Sequence, residues 1–266
     1  MGETLKLGRN DLVSDSEYHA DSAISKHRLD LVNKSIGHFL RGFSGDSKAL
    51  KIGRIAHLAI LEPDLLAQNV HIVETSSERT KAFSSAVAEF PEKEIIKQSD
   101  FSAIIEMQNA VYRHPVAAEL LDFSSGAAEI SYCWNDPRHN LRCKCRVDYV
   151  GNDGTLIDIK TTKDAGRDFV GSAHKFRYPH QAAWYTKGVR LADPDIKPTR
   201  FLIIAVEKTS PFSVAVYEFS REYIDFATEQ IERNLDTLAD YMAAPETAWT
   251  GLPPEIQTLT KPRWLT

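Results

Sequence analysis

Cysteine is scarce in this chain: Cys133, Cys143 and Cys145 are the three in 266 residues, all within one short stretch. An odd, clustered set does not make the disulfide framework of a small secreted domain. Three is also too few for a four-cysteine iron–sulfur cluster. His139 lies close by, but its spacing to the cysteines fits no common zinc pattern. The expectation is therefore no iron–sulfur cluster, no zinc, and free, mostly buried thiols. Long apolar runs are missing as well, none approaching the roughly 18 residues of a membrane span. The opening MGETLKLGRNDLVSD has neither the charged head nor the apolar run of a secretory signal. These absences lead to the expectation of a cytoplasmic protein with no membrane partner. No G-x-G-x-x-G, P-loop or G-x-S-x-G string occurs, which leaves a small-molecule enzyme of those kinds without support. Positive charge is not in excess either: 32 Lys and Arg stand against 37 Asp and Glu, a formal charge of -5. Any contact with a polyanion must then be confined to a local groove.

What is present is ordinary globular material, 42% hydrophobic and 26% charged, enough to fold as one domain over residues 1–266. Residues 1–70 read as helical. ISKHRLDLVNKSIGHFLRG and KALKIGRIAHLAILEP space their apolar residues at threes and fours, with Asp21 or Ser22 as the expected cap and Pro63 as the stop. A short strand is expected at 71–73 and a polar, mobile loop at 75–81, with a helix over 101–112. From Ala128 the period changes to alternation. AEISYCW and LRCKCRVDYV flank the turn NDPRHN and predict a hairpin, and TLIDIKTT follows as a third strand after GNDG. A helix containing HQAAWYTKGV, strands FLIIAVE and SVAVYEF, and a long helix over 222–242 complete the pattern. Residues 128–220 would be the catalytic sheet and helix, and 221–266 a helix with an extended tail that packs as an arm. The fold class expected is α/β (α+β), a mixed central sheet flanked by helices.

The chemistry concentrates in RVDYVGNDGTLIDIKTT. Residues two apart on a strand share a face, so Asp158 and Lys160 project together while Ile157 and Ile159 point to the buried side. The same alternation puts Lys144, Arg146 and Asp148 on one face of the preceding strand. If the strands pair through GNDG, Asp148 and Asp158 converge. Convergent carboxylates repel unless a cation intervenes, and hard oxygen donors suit Mg2+ or Mn2+. Such ions activate water and neutralise a scissile phosphate. Taken alone, Asp-x-Lys on a strand is weak evidence and reads first as a surface ion pair. The wider set adds Gly53 and His57 in GRIAH, Glu129 at the start of the hairpin, and Gln181 and Tyr185 on one helix face. Each also has an ordinary reading, as a packed histidine, an exposed strand end or half-buried polar residues.

Taken in order, G-x-x-x-H, Glu, Asp, D-x-K and Q-x-x-x-Y resemble the motifs of RecB-like nucleases of the PD-(D/E)xK superfamily. YHADSAISKHRLD, GRIAHLAILEP, AEISYCWNDP, LRCKCRVDYV, DIKTT, YPHQAAWYTKG and KPRWLT are more narrowly similar to the exonuclease VIII (RecE) nuclease domain, over essentially the whole chain. The usual proline before the first aspartate is replaced by Val147. The resemblance implies a restriction-endonuclease-like core and a Mg2+-dependent exonuclease acting on linear double-stranded DNA. It also implies 5′ to 3′ polarity, with 3′ tails left for a RecT-like single-strand-annealing partner. His57, Glu129, Asp148 and Asp158 would bind metal, with the Ile159 carbonyl as an extra ligand. Lys160 would act as base or water-positioning group; Gln181, Tyr185, Arg146 and Lys144 would contact DNA, or in the case of Gln181 and Tyr185 brace Lys160. A homo-oligomeric ring, such as a tetramer, is the expected assembly. The alternatives are a PD-(D/E)xK endonuclease and an inactive DNA-binding module. Because site groups are expected to face the surface, Lys160→Ala and Asp158→Ala should end cleavage without disturbing the fold.

Overall fold

The computed structural model describes residues 2–42, 45 and 47–261, so of KPRWLT only Lys261 lies among the described residues. The N-terminal part comprises β1 (Gly8–Asn10), α1 (Asp15–Ala20), β2 (Ile24–Ser25), α2 (Lys26–Val32), α3 (Ile36–Arg41) and α4 (Lys48–Leu61). The helical spacing over 24–42 predicted one helix, and the structure divides it. Ser25 and Ser35 each turn a side-chain oxygen onto the first turn that follows, accepting from Arg28 N and His38 N, and two caps make two helices. Asp21 is not a helix N-cap. Its carboxylate accepts from the N–H groups of Thr4, Leu5 and Ala23 and from Arg142, and so ties down the chain's beginning. Pro63 ends α4 as expected and opens a 3-10 turn.

Next come α5 (Leu66–Asn69), β3 (Val70–Val73), α6 (Lys81–Glu89), β4 (Glu94–Lys97), α7 (Gln98–Arg113) and α8 (Pro115–Leu120). β3 and β4 form a separate parallel pair. The main sheet is built from β5 (Gly126–Asn135), β6 (Arg142–Gly151), β7 (Thr155–Thr162), β8 (Arg200–Glu207) and β9 (Val214–Glu218). α9 (Phe169–Lys175) and α10 (Tyr178–Ala192) lie between β7 and β8, and α11 (Arg221–Ala243) follows β9. Strand order is β1-β5-β6-β7-β8-β9, with β2 added parallel to β6. β7 and β8 are also parallel and the other pairs antiparallel. The mixed sheet flanked by helices is the expected architecture.

Two apolar cores lie on the two faces. α2, α3, α10 and α11 cover one face, where Trp134 and Trp184 meet at 5.0 Å, and α4 and α7 cover the other. The two hairpin strands change face partway along. Ile130, Tyr132 and Trp134 of β5, with Cys143, Cys145 and Val147 of β6, point into the α10/α11 core. Ala128 and Tyr149 instead pack on the α4/α7 side, and Ala127 and Val150 return to the first. The alternation therefore slips at Glu129, whose φ of +53° is unusual for a residue with a side chain, and at Asp148. Of the expected tail arm, the described residues 251–261 are exposed and without regular structure, and 262–266 lie outside the described residues. Among the described residues, no helix is long and apolar enough to cross a membrane.

Candidate active site

Three adjacent strands bring the acids together. Glu129 and Asp148 stand opposite each other between the paired rungs Ala128–Tyr149 and Ile130–Val147. On the other side of β6, pairing with β7 runs through Val150–Leu156 and Tyr149–Ile157. The next rung would join Asp148 to Asp158, and there the strands part. Ile159 N–H donates to Asp148 Oδ2 at 2.7 Å, so a side chain takes over a ladder bond. Like charges opposed across a sheet destabilise it, and a row of three carboxylates is not a packing solution. A bound cation would offset that repulsion.

α4 supplies the fourth group. Ala56, Ala59 and Ile60 are buried on its inner side, which fixes the helix over the sheet and sets His57 Nδ1 at 3.4 Å from Asp148 Oδ2. Gly53, one turn earlier, faces Thr161, whose Oγ1 lies 3.7 Å from where a β-carbon would stand. His57, Glu129 and Asp148 each offer a ligand atom within 4.8 Å of the others. Burial and the facing Asp148 carboxylate push Glu129 up to about 9, a repulsion that a bound cation would relieve. One imidazole and two hard carboxylates, with no thiolate, fit Mg2+ or Mn2+.

Asp158 stands apart from this trio. It is 1% exposed, its Oδ1 accepts from Gln181 Nε2, and its Oδ2 lies 2.6 Å from Lys160 Nζ. Burial pushes its carboxyl up to about 6 against the pull of Lys160. Burial would lower the Lys160 ammonium, but Asp158 and Asp148 outweigh it and hold it above its ordinary value. Ile157 and Ile159 point to the α4/α7 core, so alternation along β7 is as the sequence indicated. Ile159 meets the site through its N–H.

A cleft of about 980 Å³ opens over the trio, lined among others by Asp15, Glu62, Glu129, Arg146, Asp148 and Tyr185. Arg146 is at its wall but is held by Ser131 Oγ at 3.0 Å, by Asp15 and by the carbonyls of Val13 and Ser14. It fixes the N-terminal rim and approaches Glu129 at 4.0 Å. Lys144 does not reach the cleft lining. It is 4% exposed, its ammonium donates to the carbonyls of Tyr18 and Asp21, and burial pulls it down to about 8. A phosphate contact there is corrected to an internal brace, because β2 and α1 cover that part of β6. Gln181 is likewise turned to Asp158, while Tyr185 lines the cleft and meets Phe201 edge-on. All three cysteines are free and buried.

Two further residues neighbour the site that no sequence motif singles out. Tyr178 opens α10 with its ring 5.0 Å from Lys160 Nζ; it stands inside YPHQ, one turn before Gln181. Glu62 lies in the cleft just before Pro63, and burial raises it. No sequence spacing links it to the other acids.

The family described as "PDDEXK-like domain of unknown function (DUF3799)" matches residues 24–249. No curated protein matches the chain. Among solved structures, a protein of Eubacterium rectale named provisionally as an exonuclease aligns with a TM-score of 0.64 at 14% identity, covering 95% of this chain and 96% of that one. At that identity the likeness shows the fold. A second, SSO0001, aligns over 71% of this chain and 86% of its own at 13% identity, with a TM-score of 0.29, too low to carry an argument. The family match spans β2 to β9, His57, the three acids, Lys160 and α10, and the chain belongs to the PDDEXK-like DUF3799 family, with the PD-(D/E)xK nuclease fold that its motifs implied.

Proposed function

We propose that this protein is a divalent-metal-dependent exodeoxyribonuclease that degrades linear double-stranded DNA. The observation that carries the reading is the row Glu129, Asp148, Asp158 across three neighbouring strands, with His57 against Asp148 and Lys160 paired to Asp158. An inactive binding module would have no use for opposed carboxylates that weaken its own sheet.

His57, Glu129 and Asp148 would hold the cation, with Asp158 beside them. When bound, Mg2+ supplies charge neutralisation at the phosphate and a more acidic water. Lys160, kept cationic by its pair with Asp158, positions the attacking water and a phosphate oxygen through its ammonium hydrogens. Gln181 fixes Asp158, so that Asp158 in turn fixes Lys160. Arg146 anchors the 13–15 rim over Glu129 and thereby shapes the entrance.

Preference for ends, 5′ to 3′ polarity, a RecT-like annealing partner and a ring-shaped homo-oligomer extend this proposal. They are supported by the ordered motifs of the exonuclease VIII resemblance, and the preference for ends also by the provisional name of the Eubacterium rectale protein. Linear duplex labelled separately at its 5′ and 3′ ends, beside a closed circle, tests the end preference and the polarity with Mg2+ and with EDTA, and light scattering under assay conditions tests the ring. Early release of the 5′ label with circles spared is the expected result. Cutting of circles would establish an endonuclease instead.

A further inference from the structure

The turn between α9 and α10 has features that the metal site does not use. Arg177 sits there in the left-handed region, φ +57° and ψ +45°, a conformation that is costly for a residue with a side chain and persists only where the surroundings impose it. They do so here from three sides. The Arg177 guanidinium bonds Asp30 of α2 at 2.8 Å and Gln230 of α11 at 3.1 Å, and Lys26 Nζ donates to the Phe176 carbonyl at 3.1 Å.

This braced turn presents two aromatic rings. Phe176 is 52% exposed, although nearby Phe169 is buried and stacked on Tyr217 at 4.7 Å, so the Phe176 ring is not needed to fill the core. Phe176 and Tyr178 lie near-parallel, with centroids 5.9 Å apart and planes at 25°. An ammonium flanks each ring: Lys175 Nζ is 5.4 Å from the centre of Phe176 and Lys160 Nζ is 5.0 Å from that of Tyr178. A flat apolar face between two cations, continuous with the hydrolytic lysine, has the chemistry of a nucleotide: a π-face to stack and a phosphate on either side.

We infer that Phe176, backed by Tyr178, is a stacking platform for a nucleobase of the strand being cut, about one nucleotide from the phosphate held at Lys160. The inference rests on the nuclease reading and deepens it. The platform reads no sequence, since every base has a π-face. It orders the strand end in the site.

The test uses linear duplexes whose terminal or penultimate nucleotide is intact, abasic, or 2-aminopurine, placed on each strand in turn, with the full-length protein and its Phe176→Ala and Phe176→Trp variants. With Mg2+, removing the base that meets the platform should raise the wild-type KM about tenfold. Phe176→Ala should show the same rise on intact DNA and no further rise on abasic DNA, while Phe176→Trp should behave like wild type. With Ca2+ and no turnover, bound 2-aminopurine should be quenched by wild type and by Phe176→Trp but not by Phe176→Ala. A full abasic penalty persisting in Phe176→Ala, or equal quenching by all three proteins, would overturn the platform. Quenching without hydrolysis in any metal would uphold the platform and refute the nuclease.

Discussion

Glu129 and Asp148 face each other across β5 and β6 at the residues where both strands reverse the side on which they pack. The reversal turns the two carboxylates out of both apolar cores and toward His57. In the absence of a cation the arrangement stores repulsion, and its removal by substitution has measurable signs.

Stability of the metal-free protein should fall as pH rises from about 4.5 toward about 9. Glu129 is pushed up to about 9 from an ordinary 4.5 by burial and by Asp148. Between those values the native state keeps a proton that the unfolded chain has released, and stability therefore declines with pH. Glu129→Gln should flatten that slope in urea titrations and abolish the Mg2+-induced rise in Tm expected of wild type through ligand linkage. An unchanged slope would place the repulsion elsewhere.

Lys160→Ala should cut the rate of DNA hydrolysis by about 100- to 1000-fold, the range for loss of one well-placed donor. It should also destabilise the protein by about 3–5 kcal/mol, because Asp158 is left buried without its cation. This corrects the expectation that site substitutions spare the fold, since Asp158 is 1% exposed rather than surface-facing. Adding Asp158→Asn to Lys160→Ala should recover most of the stability and none of the activity. Chemical denaturation and a hydrolysis assay on wild type and the two variants separate the two effects.

Gly188→Ala should destabilise by about 1–3 kcal/mol through overpacking, although alanine favours helices by about 1 kcal/mol. A β-carbon on Gly188 would stand 2.5 Å from the Trp134 ring, so α10 would have to move off the sheet. Because α10 carries Gln181, activity should fall with stability. Calorimetry showing a Tm equal to wild type would contradict this contact.

The thiols should be inert in the native protein. Cys133, Cys143 and Cys145 are buried, and burial pushes Cys133 up to about 11 and the other two higher still, which removes thiolate at neutral pH. A disulfide reagent should label none of them natively and all three in guanidinium.

The central sheet was legible because alternation holds over 130–134, 141–147 and TLIDIKTT, and because Asp158 and Lys160 lie two apart on one strand. The change of face at Glu129 was not, since it depends on a positive φ that no glycine announces. Nor was the burial of Lys144. Its strand parity matched that of Arg146, but coverage by β2 and α1 is set by residues some 120 positions away in the chain. The break between α2 and α3 was visible only as Ser35, a cap whose effect outweighed an uninterrupted apolar spacing.

The most direct test is Mg2+-dependent release of nucleotides from linear duplex DNA by wild type and Asp148→Asn, side by side, with an EDTA control. Asp148 is the residue shared by the opposed pair, the His57 contact and the Ile159 N–H bond. The account predicts release by wild type that EDTA abolishes, and a loss of at least about 100-fold in the variant. Equal release by both proteins, or none by wild type with either Mg2+ or Mn2+, would contradict it.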